Sequence, residues 1–243
     1  MKSVTFFTQC YEGDWQAIIL NGGIERKLEN LDYKFTKKIL IITNVENRDI
    51  VEESIKQLVD KNILDGYFFT DDYSDEVLEF FNIDKDSFNG GYWYSISPLL
   101  SIYLCDTDYM VYLTGDSLTE KTDYDWISKG IEMMLLNPKI KSANPVWNHD
   151  FNNAEQQENN LNNHTFEKSL EWWYGQGFSD QCFLIKTETF KNKIYNNHNN
   201  LSDIHYPKYA GESFEKRVYS FLLNQNYYRI TNKQITYFHP RWY

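Results

Sequence analysis

The stretch YMVYLTGDSL, from Tyr109 to Leu118, decides the fold of this chain. Its first five residues are apolar or aromatic, which is typical of a parallel strand that is buried on both faces. Polar residues follow at once: Gly115 lets the backbone approach a ligand, and Asp116 offers a carboxylate. Ligands of open α/β sheets bind at the carboxyl ends of the strands. We therefore expect a ligand site here, and a carboxylate suits a divalent cation with the phosphates it carries.

Strands and helices alternate along the chain on the amino-terminal side of this stretch. Apolar or β-branched runs at 4–7, 38–42 and 66–70 predict three further strands. Between the last two, apolar residues at helical spacing predict an amphipathic helix over 51–59. This alternation predicts an α/β fold, with a mostly parallel sheet flanked by helices and joined by right-handed crossovers.

The remaining elements are predicted from local signals. Ser97 and Pro98 indicate a helix start, because a capping hydroxyl is followed by proline at the first helical position. The polar run over 148–165 is interpreted as a long surface loop, with a disordered insertion as the alternative. Further elements are predicted as a helix over 124–136, a strand over 143–147, a helix over 211–223 and one or two strands over 227–243.

Composition excludes some partners and leaves others open. A net charge of -11 repels nucleic acid phosphates, so we expect no nucleic acid partner. The 17% aromatic content suits the C–H faces of sugars, although burial in the core explains it equally well. Cys10, Cys105 and Cys182 lie far apart, which argues against a disulfide framework or zinc site and fits a reducing compartment. With no apolar run of transmembrane length, we expect a cytoplasmic protein, with peripheral association at the inner face of the membrane left open.

Several familiar motifs are missing from the sequence, including the dinucleotide fingerprint, the phosphate-binding P-loop, the nucleophile elbow and H-E-x-x-H. What remains is an α/β sheet with polar strand ends and one strand that ends in Thr-Gly-Asp-Ser. In this the sequence resembles glycosyltransferases of the GT-A fold, particularly small family-two-like enzymes that build bacterial surface polysaccharides. The resemblance depends on the order of weak motifs along most of the chain, at 8–14, 44, 113–117, 178–184, 211–217 and 239–240.

The resemblance implies a metal site at the end of the central strand. In similar enzymes this strand ends in D-x-D, which holds a divalent metal on the nucleotide diphosphate. Here Thr114 stands at the first Asp, Gly115 at the middle position and Asp116 at the second Asp, so the first carboxylate is missing. Asp116 is expected to face Mn²⁺ or Mg²⁺, and His239 matches the late histidine that similar enzymes add to the metal. Metal dependence stays open, because one carboxylate binds these ions weakly.

The resemblance also implies a donor pocket and a catalytic base. Glu212 matches the acidic residue that inverting members place at the start of the helix after the acceptor loop, and Asp180 is the second candidate. A glutamate in a first helical turn is also favoured by the helix dipole without any catalysis, and Asp180 has the alternative role of orienting the acceptor. The expected residues of the nucleotide-sugar pocket, for a donor of the UDP type, are Thr8, Cys10, Tyr11, Glu12, Asn44, Thr114, Gly115 and Asp116.

On this resemblance we expect one domain over 1–243, with a nucleotide-sugar-binding half at 1–118 and an acceptor-binding half at 119–243. Trp172 and Trp173 are expected to form an acceptor platform with Asp180, unless they only pin the loop to the core. The predicted function is transfer of a sugar from a nucleotide-sugar to a hydroxyl of a glycan or lipid-linked acceptor, with inversion. The alternative suggested by the incomplete D-x-D is a non-catalytic protein of the same fold that binds a sugar nucleotide or glycan. A sugar-phosphate nucleotidyltransferase is disfavoured, because no Gly-rich loop with Arg and Lys lies near the amino terminus.

Overall fold

A single sheet forms the centre of the fold. The structure is a computed structural model that describes residues 2–161 and 169–240. Strand β4 is the predicted central strand, and its alternate residues pack into cores on opposite faces of the sheet, as the strand period of two requires. Over the described ranges the strands are β1 (Val4–Cys10), β2 (Lys37–Ile42), β3 (Gly66–Phe69), β4 (Tyr109–Leu113), β5 (Leu118–Thr119), β6 (Ile140–Trp147), β7 (Trp172–Gly175), β8 (Cys182–Lys186) and β9 (Tyr228–Phe238).

Strand direction determines which strand ends meet. The order is β3-β2-β1-β4-β8-β6-β9-β5, and β7 pairs with β9. Strands β3, β2, β1 and β4 are parallel, β8 runs against β4, and β6 and β9 return to the direction of β4. The carboxyl ends of β1, β2, β4 and β9 therefore share one edge with the amino end of β8.

Helices cover both faces of this sheet, so the prediction of a mostly parallel sheet flanked by helices is confirmed. Helix α2 contains the predicted amphipathic segment and buries Val51, Ile55 and Leu58. In the described part of the chain the helices are α1 (Gly23–Leu31), α2 (Arg48–Asp60), α3 (Thr70–Phe81), α4 (Tyr92–Leu104), α5 (Trp126–Leu136), α6 (Phe151–Asn159), α7 (Thr187–Phe190), α8 (Asn200–His205) and α9 (Phe214–Gln225), with short helical turns at Gln16–Leu20, Lys85–Gly91 and Lys208–Ala210.

Most predicted elements lie within about three residues of the observed bounds, but two predictions fail. Helix α4 begins at Tyr92 and contains Pro98, so the predicted start at Ser97 is wrong. The residues from Ser95 to Ile102 are buried, and this packing outweighs the one backbone hydrogen bond that proline removes. Within the predicted 148–165 loop, α6 forms instead, because the Asp150 side chain accepts from the Asn153 amide at 3.1 Å and caps the helix.

The rest of that predicted loop, over 162–165, and the last predicted strand residues, 241–243, lie outside the described residues. None of the helices in the described residues has the length and apolar character that a bilayer-crossing segment requires.

Candidate active site

The shared edge of the sheet borders a cavity of about 510 Å³, here named the edge cavity. This volume is within the range of small-molecule sites, about 300–1,000 Å³. Strand ends supply most of its wall, and the amino-terminal turn of α4 supplies two aromatic rings. The lining consists of Gln9, Tyr11, Asp14, Thr43, Asn44, Trp93, Tyr94, Thr114, Asp116, Asp180, Gln181 and His239.

The turn after β4 is held closed by the chain around it. A Cβ atom on Gly115 would come 2.8 Å from the Asp14 carboxylate and closer still to the Gln9 carbonyl, so the turn requires glycine here. The ammonium of Lys27, which is fully buried, donates to the carbonyl of Thr114 at 2.9 Å and to that of Ser117. The turn is thereby fixed on both sides of Asp116, whose side chain is 51% exposed.

Two carboxylates and an imidazole come together at this turn. The Nδ1 atom of His239 lies 3.6 Å from Oδ2 of Asp116. Asp14, which the sequence analysis missed, accepts from the Tyr11 amide at 2.8 Å. Burial raises the pKa of Asp14 to about 7, and the negative charge of Asp116 also raises it. The hydrogen bond from the Tyr11 backbone N–H and the charge of Lys27 lower it. Asp14 follows β1 in the same way that Asp116 follows β4. Its position after a strand could therefore have predicted it as a site residue.

These side chains fit a divalent cation, because carboxylate oxygens and imidazole nitrogens are its usual ligands. The described residues contain one group of three potential metal ligands whose donor atoms all lie within 4.8 Å of one another. It consists of His198, Asp203 and Glu212. That group already has a cation, since Lys216 lies 2.8 Å from Asp203 and 2.6 Å from Glu212. The ligands around Asp116 are more widely spaced, as suits a site that substrate phosphates complete.

The structure brings together only part of the predicted nucleotide pocket. Tyr11, Asn44, Thr114 and Asp116 line the edge cavity, and Gly115 lies in the same turn. Thr8 and Cys10 are fully buried within β1. The Glu12 carboxylate accepts from the Glu46 amide at 2.8 Å and is not part of the lining. Trp93 and Tyr94, 44% and 66% exposed, belong to the lining although no sequence signal indicated them.

A second cavity, here named the polar cavity, has a volume of about 300 Å³. It lies between β6, β9, α6 and the start of α9, and it meets the edge cavity at Asp180 and Gln181, which line both. Its lining consists of Asn144, Val146, Trp147, Asp150, Asn153, Ala154, Gln157, Ser179, Asp180, Gln181, Glu215, Arg229, Thr231 and Tyr237.

Asp180 and Glu215 are buried carboxyl groups in this cavity, and their surroundings disfavour the charged form of each. Burial raises the pKa of Asp180 to about 6. A hydrogen bond from a backbone N–H lowers this pKa, and the negative charge of Asp116 raises it. The pKa of Glu215 is raised well above its usual range by burial and by the charge of Asp180, while Arg229 opposes the shift. Carboxyl groups perturbed in this way are typical of acid–base sites.

Arg229 forms one wall of the polar cavity, and glycines make room for it. Its guanidinium donates to the Gln157 side-chain oxygen. Cβ atoms at Gly175 and Gly177 would lie 3.2 Å and 3.5 Å from its terminal nitrogens. A Cβ at Gly175 would therefore crowd the guanidinium, whereas one at Gly177 would be in ordinary contact with it. Nothing in the sequence distinguishes this arginine from a surface charge, because its burial depends on β6, α6 and α9.

Three predicted site residues lie elsewhere. Glu212 borders a different cavity, and its carboxylate accepts from Lys216 at 2.6 Å. Trp172 is 1% exposed and packs in the core, so it has no surface to offer an acceptor. Trp173 packs against Phe151 at a ring-centroid distance of 6.3 Å and lines neither cavity. The structure thus groups Asp180 with Asp116, and leaves Glu212 and both tryptophans apart from them.

Comparison with known proteins gives no match to a family model and none to a curated protein sequence. Among solved structures, GalNAc-T7 with UDP, GalNAc and Mn²⁺ is similar, with a TM-score of 0.58 and 10% identity over 98% of this chain and 44% of that one. S. aureus TarS gives a TM-score of 0.49 with 11% identity over 98% of this chain and 37% of that one. Mouse xyloside xylosyltransferase 1 gives 0.44 with 9% identity over 92% of this chain and 82% of that one.

The chain spans less than half the length of the GalNAc-T7 chain it matches, at 44%. An identity of 10% shows the fold alone. The sheet order, the flanking helices and the similarity to GalNAc-T7 together show that this chain has the GT-A fold.

Proposed function

We propose that this protein is an inverting glycosyltransferase, which moves a sugar from a nucleotide-sugar to a hydroxyl of a glycan or lipid-linked acceptor. One observation carries the proposal: on a GT-A sheet, a cavity with an acidic strand-end turn meets a second cavity at Asp180. A group transfer between two bound molecules needs such a junction, because proximity of the reacting atoms supplies much of the rate.

In this proposal the edge cavity holds the donor, a nucleotide-sugar of the UDP type. The half-exposed ring of Tyr11 is available to stack on the base, and Asn44 and Thr114 offer hydrogen bonds to base, ribose or sugar. Asp116 and His239, with Asp14 nearby, would hold Mn²⁺ or Mg²⁺. Such an ion neutralises the charge that develops on a leaving diphosphate.

The proposed base is Glu215. It lines the polar cavity and not the edge cavity, so it lies on the side away from a diphosphate bound near Asp116. Inversion needs the acceptor to attack from that side and to lose its proton there. Burial and the charge of Asp180 raise the pKa of Glu215, which makes its carboxylate a stronger proton acceptor once it is ionised. Asp180, at the junction, would orient the attacking hydroxyl.

The missing first Asp of D-x-D favours a non-catalytic sugar-nucleotide-binding protein as the second candidate. Asp14 weighs against this, because it brings a second carboxylate to the turn from a different loop. The two candidates differ in turnover: the enzyme transfers or hydrolyses the donor sugar, whereas the binding protein only binds it.

The test is thermal unfolding with UDP, GDP, dTDP and CMP, each with and without Mn²⁺. A ligand at 100 times its Kd stabilises by about 2.7 kcal/mol, which raises Tm by roughly 5–10 °C in a chain of this size. We expect UDP with Mn²⁺ to give the largest shift. Asp116→Asn should lose the Mn²⁺-dependent part, while the surface variant Asp106→Asn keeps it. If no nucleotide changes Tm under any condition, the proposed function is rejected.

A further inference from the structure

We propose that the polar cavity binds a single uncharged sugar ring, whose hydroxyls are recognised by Asn144, Arg229 and Thr231. That this sugar is the acceptor rests on the proposed function, whereas its binding does not. The inference follows from the hydrogen-bonding groups, the charge and the size of the cavity.

Of the eight buried side-chain atoms that lack a hydrogen-bond partner in the described residues, three belong to residues that line this cavity, and the other five belong to residues that line neither cavity. Asn144, Thr231 and Arg229 are 4%, 3% and 8% exposed. In the part of the chain that the structure describes, Oδ1 of Asn144, Oγ1 of Thr231 and Nε of Arg229 are buried without a hydrogen-bond partner. A buried polar group left unpaired costs about 1–3 kcal/mol, so three in one wall indicate that a ligand completes them.

The chemistry of these atoms matches hydroxyl groups. The amide oxygen accepts, the guanidinium nitrogen donates, and the threonine hydroxyl does both. A sugar hydroxyl also donates and accepts, so one ring can satisfy all three. A lipid chain can satisfy none of them.

The charge of the cavity disfavours an anionic ligand. Three carboxyl groups, those of Asp150, Asp180 and Glu215, face one cation, Arg229. That guanidinium is already held by Gln157 and is close enough to Glu215 for their charges to interact. A phosphate or carboxylate would meet net repulsion here, whereas an uncharged polyol would not.

The size of the cavity favours one ring. Its volume of about 300 Å³ lies at the lower end of the range for ligand sites. The indole of Trp147 also lines the cavity and is 39% exposed, so it offers an apolar face to the C–H groups of a sugar.

The test compares Thr231→Val with Thr119→Val. Both changes preserve shape, and both remove a buried hydroxyl that has no partner in the described residues. Thr119, however, lies in β5 and lines neither cavity. The probes are methyl glycosides of glucose, galactose and N-acetylglucosamine, with glucuronate and glucose 6-phosphate as charged analogues. Protein-observed NMR titrations are run with and without UDP and Mn²⁺.

We expect at least one methyl glycoside to bind, and the charged analogues to bind at least tenfold more weakly. Thr231→Val should weaken glycoside binding at least fivefold without lowering Tm, and Thr119→Val should leave binding unchanged. Absence of glycoside binding, equal binding of a charged analogue, or unchanged binding to Thr231→Val overturns the inference. Nucleotide binding without glycoside binding rejects only this inference, whereas glycoside binding without any nucleotide binding rejects only the proposed transferase.

Discussion

Two pairs of acidic side chains lie near the start of α9, and they differ in how their charge is balanced. Glu212 and Asp203 share the ammonium of Lys216, which holds the pKa of Asp203 below its usual range. Glu215 and Asp180 repel each other in the polar cavity, and their pKa values are raised. Glu212 and Glu215 are three residues apart, yet only Glu215 faces the proposed reaction. An acidic pair whose charge the fold balances is structural, whereas one left unbalanced in a cavity is a candidate for chemistry.

The strongest test of this comparison is to remove each glutamate's charge in turn. Glu215→Gln should lower turnover by about 10²–10⁴-fold, the usual contribution of a general base, because the amide cannot take a proton. Glu212→Gln, its matched control, should stay within a few-fold of the original enzyme. Steady-state kinetics with the nucleotide-sugar that the binding assay identifies give both values.

Thermal unfolding of Glu215→Gln is the accompanying control. We expect Tm to stay equal or to rise, because repulsion from Asp180 is relieved. If Glu212→Gln is the variant that loses turnover while it stays folded, the comparison is reversed.

A second test concerns Lys27, which holds the turn that carries Asp116. Lys27→Met leaves the carbonyls of Thr114 and Ser117 without this donor. Unpaired buried groups cost about 1–3 kcal/mol each, and loss of the buried charge offsets part of that. We expect a net loss of about 2 kcal/mol, and hence a Tm lower by roughly 4–8 °C.

The control for Lys27 is Lys129→Met, which removes an exposed ion pair with Glu171. Surface pairs contribute about 0–1 kcal/mol, so its Tm should fall by much less. Equal effects of the two variants would mean that the buried ammonium does not stabilise the turn.

A third test removes the cation from the balanced pair. Lys216 is 8% exposed, and Lys216→Met leaves Asp203 and Glu212 to repel each other. We expect the free energy of unfolding to fall by about 1–2 kcal/mol, with kcat unchanged. Chemical denaturation and kinetics together decide this. A large loss of kcat in a folded variant would show that the balanced pair also takes part in the reaction.

The smallest expected effect concerns pH. Burial raises the pKa of Asp180 to about 6 in the folded protein, from its ordinary value of 3.8. Between these values the folded state keeps a proton that the unfolded state releases, so stability falls as pH rises through this window. Asp180→Asn should therefore raise Tm by a few degrees at pH 7 and change it much less at pH 4. A similar shift at both pH values would show that the effect does not depend on titration.

The sequence was most informative where one strand alone determines the outcome. The apolar run that ends at Leu113 predicted a buried strand, with Asp116 after it at a ligand site. The resemblance implied Tyr11 and Asn44 as pocket residues, and all three residues line the edge cavity. These succeed because the carboxyl ends of parallel strands share one edge whatever else packs there. The start of α4 failed because buried packing outweighs the local signal of Pro98.

The residues that depend on several elements were not predictable in the same way. Arg229 is buried among β6, α6 and α9, beside Gly175, and Gln157 accepts from it. Glu215 received no role from the sequence, since its electrostatic surroundings come from Asp180 before β8 and from Arg229 in β9. Trp172 lies in the core because β7 pairs with β9, and this pairing turns the Trp172 side chain inward.

The position of β9 in the sheet has a consequence for synthesis of the protein. This strand covers residues 228–238, yet it pairs with β5, β6 and β7, which the ribosome delivers earlier. Among the described strands, β5 and β7 pair only with β9 and so stay unpaired until it is made, whereas β6 also pairs with β8. Arg229, Thr231 and His239 are made together with β9 or just after it. A nascent chain that stops short of residue 228 therefore carries the acidic turn after β4 but lacks the wall of the polar cavity. The sheet and the proposed active site are therefore completed at the same step, when β9 joins the sheet.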